Sequence, residues 1–130
     1  MDAYDLIVIG GGVGLYVVDA AAHKGLRCAL IEEGKMGGTC LTRGCIPSKV
    51  LVHVADLYRE IKRSGRIGLQ SEVKSMDWSL ISKRVWNKID QSEELEKSFS
   101  QAEHVDLFKG SARFTGKQTL LIDFADGSAS

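Results

Sequence analysis

The sequence predicts an α/β fold: a parallel sheet early in the chain, then a long helix, then an antiparallel β-meander. Three observations carry this. Leu6 to Ile9 is a short β-branched run ending in Gly10-Gly11-Gly12. Gly14 to His23 is a stretch rich in Ala and Val. Cys28 to Ile31 is a second apolar run. Strand, glycine turn, helix and strand in so short a length demand parallel pairing through a right-handed crossover.

Each element has its own warrant. Leu6 to Ile9 shows no polar alternation, so it reads as a fully buried strand. Gly25 follows the first helix and reads as its left-handed cap. Cys28 to Ile31 reads as a buried strand closed by Glu32 and Glu33, with Cys28 a small core hydrophobe. Gly34 to Gly44 reads as loop. Pro47, the only proline, suits the first turn of a helix because it has no N–H to leave unpaired. From there to Arg63, Val50, Leu51, Val54, Leu57, Tyr58 and Ile61 recur at helical spacing, and Ser64-Gly65 ends the helix. Gly68 to Ser75 reads as loop. Asp77 reads as the N-cap of a second long helix, expected to continue to Ala102. Its stripe of Leu80, Ile81, Val85 and Ile89 continues, with a slip, into Leu95, Phe99 and Ala102. Val105 to Phe114 and Thr119 to Phe124 read as strands joined by Thr115-Gly116-Lys117-Gln118, and Asp126-Gly127 signals a further hairpin turn.

Composition excludes several classes. The 130 residues make one domain or part of one. Seventeen basic groups balance 17 acidic ones, so no long-range field draws in nucleic acid or an anionic membrane. No zinc-ligand spacing appears, so no metal is expected. No run of roughly 18 apolar residues could span a bilayer. The start, Met1-Asp2-Ala3-Tyr4-Asp5, is acidic where a secretory signal would be basic, which makes the cytoplasm the expected address. Three cysteines without a signal argue against a secreted disulfide framework. Cytosolic disulfides are usually catalytic or redox-sensing. His23, His53 and His104 read as surface or packing residues.

The first unit has the layout of a Rossmann-like dinucleotide fold. A pyrophosphate can sit on backbone N–H groups where the helix begins, aided by its dipole. Gly10 permits the tight turn, and Gly12 the close approach of phosphate. Glu32 stands about 20 residues on, at the end of the second strand, where an acid binds a ribose hydroxyl. Leu15 departs from the fingerprint, which asks for Gly or Ala at its sixth place. A leucine there is expected to push the helix outward or force a rotamer change, at a cost of about 1–3 kcal/mol.

Cys40 and Cys45 follow this unit. At their spacing two thiols can close a small disulfide ring, and Lys49 stands one helical turn beyond Cys45. The arrangement suits a reversible two-electron switch; a structural staple, idle thiols or a metal pair are the other readings. A helix N-terminus and a cation both stabilise thiolate, the reactive form.

Together, Asp5-Leu6-Ile7-Val8-Ile9-Gly10-Gly11-Gly12, Ala29-Leu30-Ile31-Glu32 and Gly37-Gly38-Thr39-Cys40 through Gly44-Cys45-Ile46-Pro47-Ser48-Lys49 resemble the N-terminal part of the flavoprotein disulfide reductases. The resemblance is strongest to the dihydrolipoamide dehydrogenase branch and extends to Gly110-Ser111-Ala112-Arg113-Phe114. It implies an FAD-binding domain, with the pyrophosphate on Gly10, Gly12, Val13 and Gly14 and the ribose on Glu32 beside Glu33. It places Gly38, Thr39 and Cys40 by the pyrophosphate and flavin, Lys49 near the flavin N5, and the Ala112 backbone by the adenine. It implies that Cys45 lies against the flavin and Cys40 faces the substrate, with Cys40, Cys45 and Lys49 catalytic. It implies NAD(P) as the second cofactor, lipoamide or a lipoyl domain as the dithiol/disulfide partner, and a homodimer.

Family members are several times longer, so residues 1–130 are expected to be an incomplete FAD domain lacking the NAD(P)-binding and dimerisation domains. The family's acid/base pair falls outside this sequence, and the isolated chain is expected to be inactive. The same residues also allow a relative of glutathione or mercuric reductase, or a truncated flavin- or redox-binding module without turnover.

Overall fold

The computed structural model describes residues 2–129; Met1 and Ser130, the ends of the expected span, lie outside the described residues. The chain forms two compact units: Met1–Gly38 with Ser92–Ser130, and Thr39–Gln91.

In the first unit, strand β1 (Leu6–Ile9) pairs in parallel with β2 (Cys28–Glu32), and β2 pairs in parallel with the start of β3 (Val105–Gly116). The second half of β3 turns to pair antiparallel with β4 (Thr119–Phe124), giving the order β1-β2-β3-β4. Helix α1 (Gly14–Ala22) links β1 to β2. It ends as the sequence predicts. Gly25 takes φ +76°, its N–H bonds the Ala22 carbonyl at 2.8 Å, and the Leu26 N–H bonds that of Ala21 at 3.2 Å. These two bonds make a Schellman cap.

The core of this unit is Leu15, Val18, Ala21, Cys28, Leu30, Met36 and Val105, with Leu95 and Phe99 of α5 (Gln91–Ser100) packed against it. Cys28 to Ile31 are buried, because β2 has a strand on each side. Burial also pushes the Cys28 thiol pKa up, which keeps it protonated and inert. β1 departs from expectation. Ile7 and Ile9 are 38% and 49% exposed, so the strand is buried on one face only. It is an edge strand of the sheet among the described residues. Arg27 ties the start of the sheet together. Its guanidinium bonds Asp106 at 3.1 Å and the Ala3 carbonyl at 3.2 Å, and lies 4.5 Å from the centre of the Tyr4 ring.

The second unit is helical. Short α2 (Gly38–Thr42) leads into α3 (Cys45–Arg63), a 3-10 turn (Ser64–Ile67) and α4 (Trp78–Ile89). Asp77 caps α4 as predicted, its carboxylate accepting from the Leu80 N–H at 2.9 Å. The predicted single helix to Ala102 is two helices. Asp90 closes α4, its N–H on the Trp86 carbonyl at 2.8 Å, and α5 starts at Gln91. Aspartate is a poor helix-interior residue because its carboxylate competes for nearby backbone. The slip in the apolar stripe marks this break. Glu93 and Glu94 then favour the new N-terminus. The turn at Asp126-Gly127 forms as expected, with Gly127 at φ +83° and the Phe124 N–H bonded to the Ser128 carbonyl at 2.9 Å. Beyond it, Ala129 bridges to Asp123.

Candidate functional site: a glycine cradle and a thiol pair

The glycine turn is built from backbone. Gly10 has φ +102°, a conformation that L side chains rarely adopt, and its N–H bonds the Ile31 carbonyl at 2.7 Å. Helix α1 opens after Val13 with no side-chain cap; the Leu15 and Tyr16 N–H groups turn back to the Gly12 and Val13 carbonyls at 3.2 and 3.3 Å. The second glycine pair folds onto the first. The Gly37 N–H bonds the Gly11 carbonyl at 2.6 Å, and Gly38, at φ +64°, lies against Gly12. A Cβ on Gly38 would come within 2.8 Å of the Gly12 Cα.

Glu32 closes the cradle. One carboxylate oxygen accepts from the Gly11 N–H and the other from the Gly34 N–H, both at 2.6 Å. Each oxygen keeps a further acceptor site, which a ribose hydroxyl could use. Glu33 is exposed. Ala112 is half-buried on β3, three residues beyond Lys109, the register partner of Glu32. It therefore lies past the carboxyl end of β2.

Leu15 does not behave as expected. It is buried within the core cluster beside Val18 and Met36. The close helix–strand contact falls one residue earlier, where a Cβ on Gly14 would stand 2.5 Å from Val8 Cγ1. Gly14 thus supplies the tight packing that the fingerprint assigns to its sixth place, and Leu15 is free to fill the core.

The thiol pair lies in the second unit. Cys40 sits in a helical turn, α2, where the sequence indicates loop. The turn closes because Gly44 packs on Thr39: a Cβ there would be 2.8 Å from the Thr39 carbonyl oxygen. Cys45 is itself the first residue of α3, and Pro47 is the third and buried. Pro47 stands where helix N–H groups lack partners anyway, so its missing donor costs nothing. Both thiols are free and exposed. Hydrogen bonding to the Cys45 side chain, with some desolvation, raises the Cys40 pKa above the usual thiol value; the Cys45 backbone N–H and, less, the Lys49 ammonium pull it down. Lys49 is exposed on α3.

Gly10, Gly12, Val13, Gly14, Glu32, Glu33, Gly38 and Ala112 thus stand in the first unit, and Thr39, Cys40, Cys45 and Lys49 in the second. The residues fit the pyrophosphate and ribose of FAD. A side chain at Gly38 would fill the backbone cradle, and an acid sits at its rim. Sequence reasoning missed Gly11 and Gly34 as carboxylate donors, and Met36, a loop residue that is fully buried. Gly11 was signalled by its place in the glycine run; Met36 had no signal. Among the described residues no cluster of three or more metal-ligating side chains occurs, and no helix is long and apolar enough to cross a membrane.

Known proteins share this fold. Residues 4–127 match the family model described as pyridine nucleotide-disulphide oxidoreductase. The chain is 35% identical to a dihydrolipoyl dehydrogenase of Zymomonas mobilis over 97% of its own length and 27% of the relative's. It is 34% identical to a glutathione reductase of Schizosaccharomyces pombe over 96% of its length and 28% of the relative's. Among solved structures it matches the Cu(II) complex of the HOCl-induced flavoprotein disulfide reductase RclA of Escherichia coli. The TM-score is 0.78 at 26% identity, covering 98% of this chain and 26% of that one. The chain thus spans about a quarter of the length of the relatives it matches. The cofactors of this family are FAD and NAD(P)H. With the family's fold and a match running through nearly all of its length, the chain belongs to the pyridine nucleotide-disulphide oxidoreductases.

Proposed function

We propose that this chain is the FAD-binding, thiol-bearing segment of an NAD(P)H-linked disulfide oxidoreductase acting as a dihydrolipoyl dehydrogenase. The observation that carries the reading is the pair of free, exposed thiols, Cys40 on α2 and Cys45 at the first turn of α3, with Lys49 one turn further along that helix. When bound, FAD supplies two-electron exchange between a nicotinamide and the thiol pair. The chain's own residues do the rest. Gly12, Val13, Gly14 and Gly38 present backbone to the pyrophosphate, Glu32 takes the ribose with Glu33 beside it, and the Ala112 backbone borders the adenine. Thr39 is assigned to the pyrophosphate and flavin by the family's motif alone.

The thiol chemistry is balanced within the pair. Cys40, as thiolate, attacks one sulfur of the substrate disulfide and forms a mixed disulfide, expelling the other sulfur as a thiolate that takes up the proton Cys40 gave up. Cys45 thiolate then attacks Cys40 Sγ, closes the Cys40–Cys45 disulfide and frees the second substrate thiol. The substrate gains two electrons and the pair loses two. The Lys49 ammonium favours the Cys40 thiolate, against the larger upward pull of the Cys45 side chain. Lipoamide or a lipoyl domain is the proposed substrate, and a homodimer the proposed assembly. Taken alone, the 130 residues are expected to bind FAD without turnover.

Assays of the full-length enzyme carrying this segment, side by side with lipoamide, glutathione disulfide and mercuric ion, test the substrate. Preference for lipoamide is expected. Preference for either of the others would assign the chain to a different branch.

A further inference from the structure

Lys109 has no part in the reading above, yet it holds the turn on which Glu32 depends. On β3 it is the register partner of Glu32. Its ammonium donates to the Gly34 carbonyl at 2.5 Å and to a Glu96 carboxylate oxygen on α5 at 2.8 Å. Gly34 is therefore gripped twice: its N–H by Glu32 at 2.6 Å and its carbonyl by Lys109. The other Glu32 oxygen is held by Gly11 of the glycine turn. A chain of contacts thus runs from Glu96 through Lys109, Gly34 and Glu32 to Gly11.

A purely structural role for Lys109 is the competing account. The Lys109–Glu96 pair is 39% exposed on each side, and surface ion pairs of this kind contribute little. The contact that matters is instead the one to the Gly34 carbonyl. A carboxylate fixed at the end of a strand can swing about its side-chain torsions unless its partners are themselves fixed. Gly34, a residue with the freest backbone, is a poor anchor without a second tether. Lys109 supplies that tether.

We propose that Lys109 is a positioning residue of the nucleotide site: through Gly34 it fixes the Glu32 carboxylate in the orientation that receives a ribose. The inference rests on the FAD reading, and it concerns the ADP half of the cofactor. Preorganising one acceptor group affects every ligand carrying that half, and to the same degree.

The test uses the 130-residue chain with Lys109→Met, Lys109→Arg and Glu96→Gln. Two readouts are taken: amide hydrogen exchange at Gly11 and Gly34 without ligand, and affinities for FAD and for ADP. Lys109→Met is expected to speed exchange at Gly34 about tenfold and to weaken FAD and ADP by similar factors, roughly five- to tenfold. Lys109→Arg should restore most of both, and Glu96→Gln should leave both affinities within about twofold. Unchanged affinities with Lys109→Met would overturn the proposal. So would equal losses in Lys109→Met and Glu96→Gln, which would make the lysine a pin for α5. If the unaltered chain binds neither FAD nor ADP, the functional reading fails, and the exchange at Gly34 still decides whether Lys109 governs Glu32.

Discussion

Gly38 lies against Gly12 so closely that a single added methyl would reach 2.8 Å from the Gly12 Cα. Two glycine motifs far apart in sequence therefore make one backbone surface. Gly38→Ala should fail twice, through this clash and through its φ of +64°. The expected loss of stability is about 2–4 kcal/mol in a urea titration, together with weaker FAD binding. Gly25→Ala is the control. It shares the positive φ but has open space around it, and should cost only about 1 kcal/mol.

Restoring the fingerprint at Leu15 should harm the protein. Leu15 is buried in the core, so Leu15→Gly removes apolar contact and loosens the helix. A loss of about 3–5 kcal/mol is expected by denaturant melting. Gly14→Ala should also destabilise, by about 1–3 kcal/mol, and Val8→Ala should recover part of that in the double variant, because Val8 is the atom group struck.

Much of this was legible in the sequence. Strand β2, the Schellman cap at Gly25, the Asp77 cap and the β3–β4 hairpin each follow from local chemistry that the fold does not override. The failures share a different cause. The exposure of Ile7 and Ile9 depends on which strands flank β1, and the break at Asp90 on which core Leu95 and Phe99 join. Met36 gave no warning because a buried loop methionine has no periodicity. At the site, the residue types were legible from spacing, but the double grip on Gly34 required the register of β2 with β3.

The pH dependence of Cys40 follows from its partners. The hydrogen bond to Cys45 raises its pKa, and Lys49 acts in the opposite direction. Thiolate is the alkylated species, so alkylation of Cys40 rises as pH climbs through its pKa. Cys45→Ala removes the largest upward cause, and its profile should move to lower pH. Lys49→Met removes the smaller of two downward causes, the Cys45 backbone N–H being the other, and its profile should move slightly to higher pH. Iodoacetamide rates followed by mass spectrometry at Cys40 check both signs; a shift of either variant in the reverse direction would refute the assignment.

The cap on α4 is testable by itself. Asp77→Ala removes the acceptor for the Leu80 N–H and should cost about 1 kcal/mol, read as a lower urea midpoint; Asp77→Asn should retain most of the stability.

The relay between cofactor and thiols is tested most directly by spectroscopy of the full-length enzyme carrying this segment. The protein is reduced by two electrons, and its long-wavelength charge-transfer absorbance is recorded for Cys40→Ser and Cys45→Ser, alongside disulfide reduction. The account predicts that Cys40→Ser keeps the band, Cys45→Ser loses it, and neither reduces disulfide. A Cys45→Ser enzyme with its band and full activity intact would contradict it.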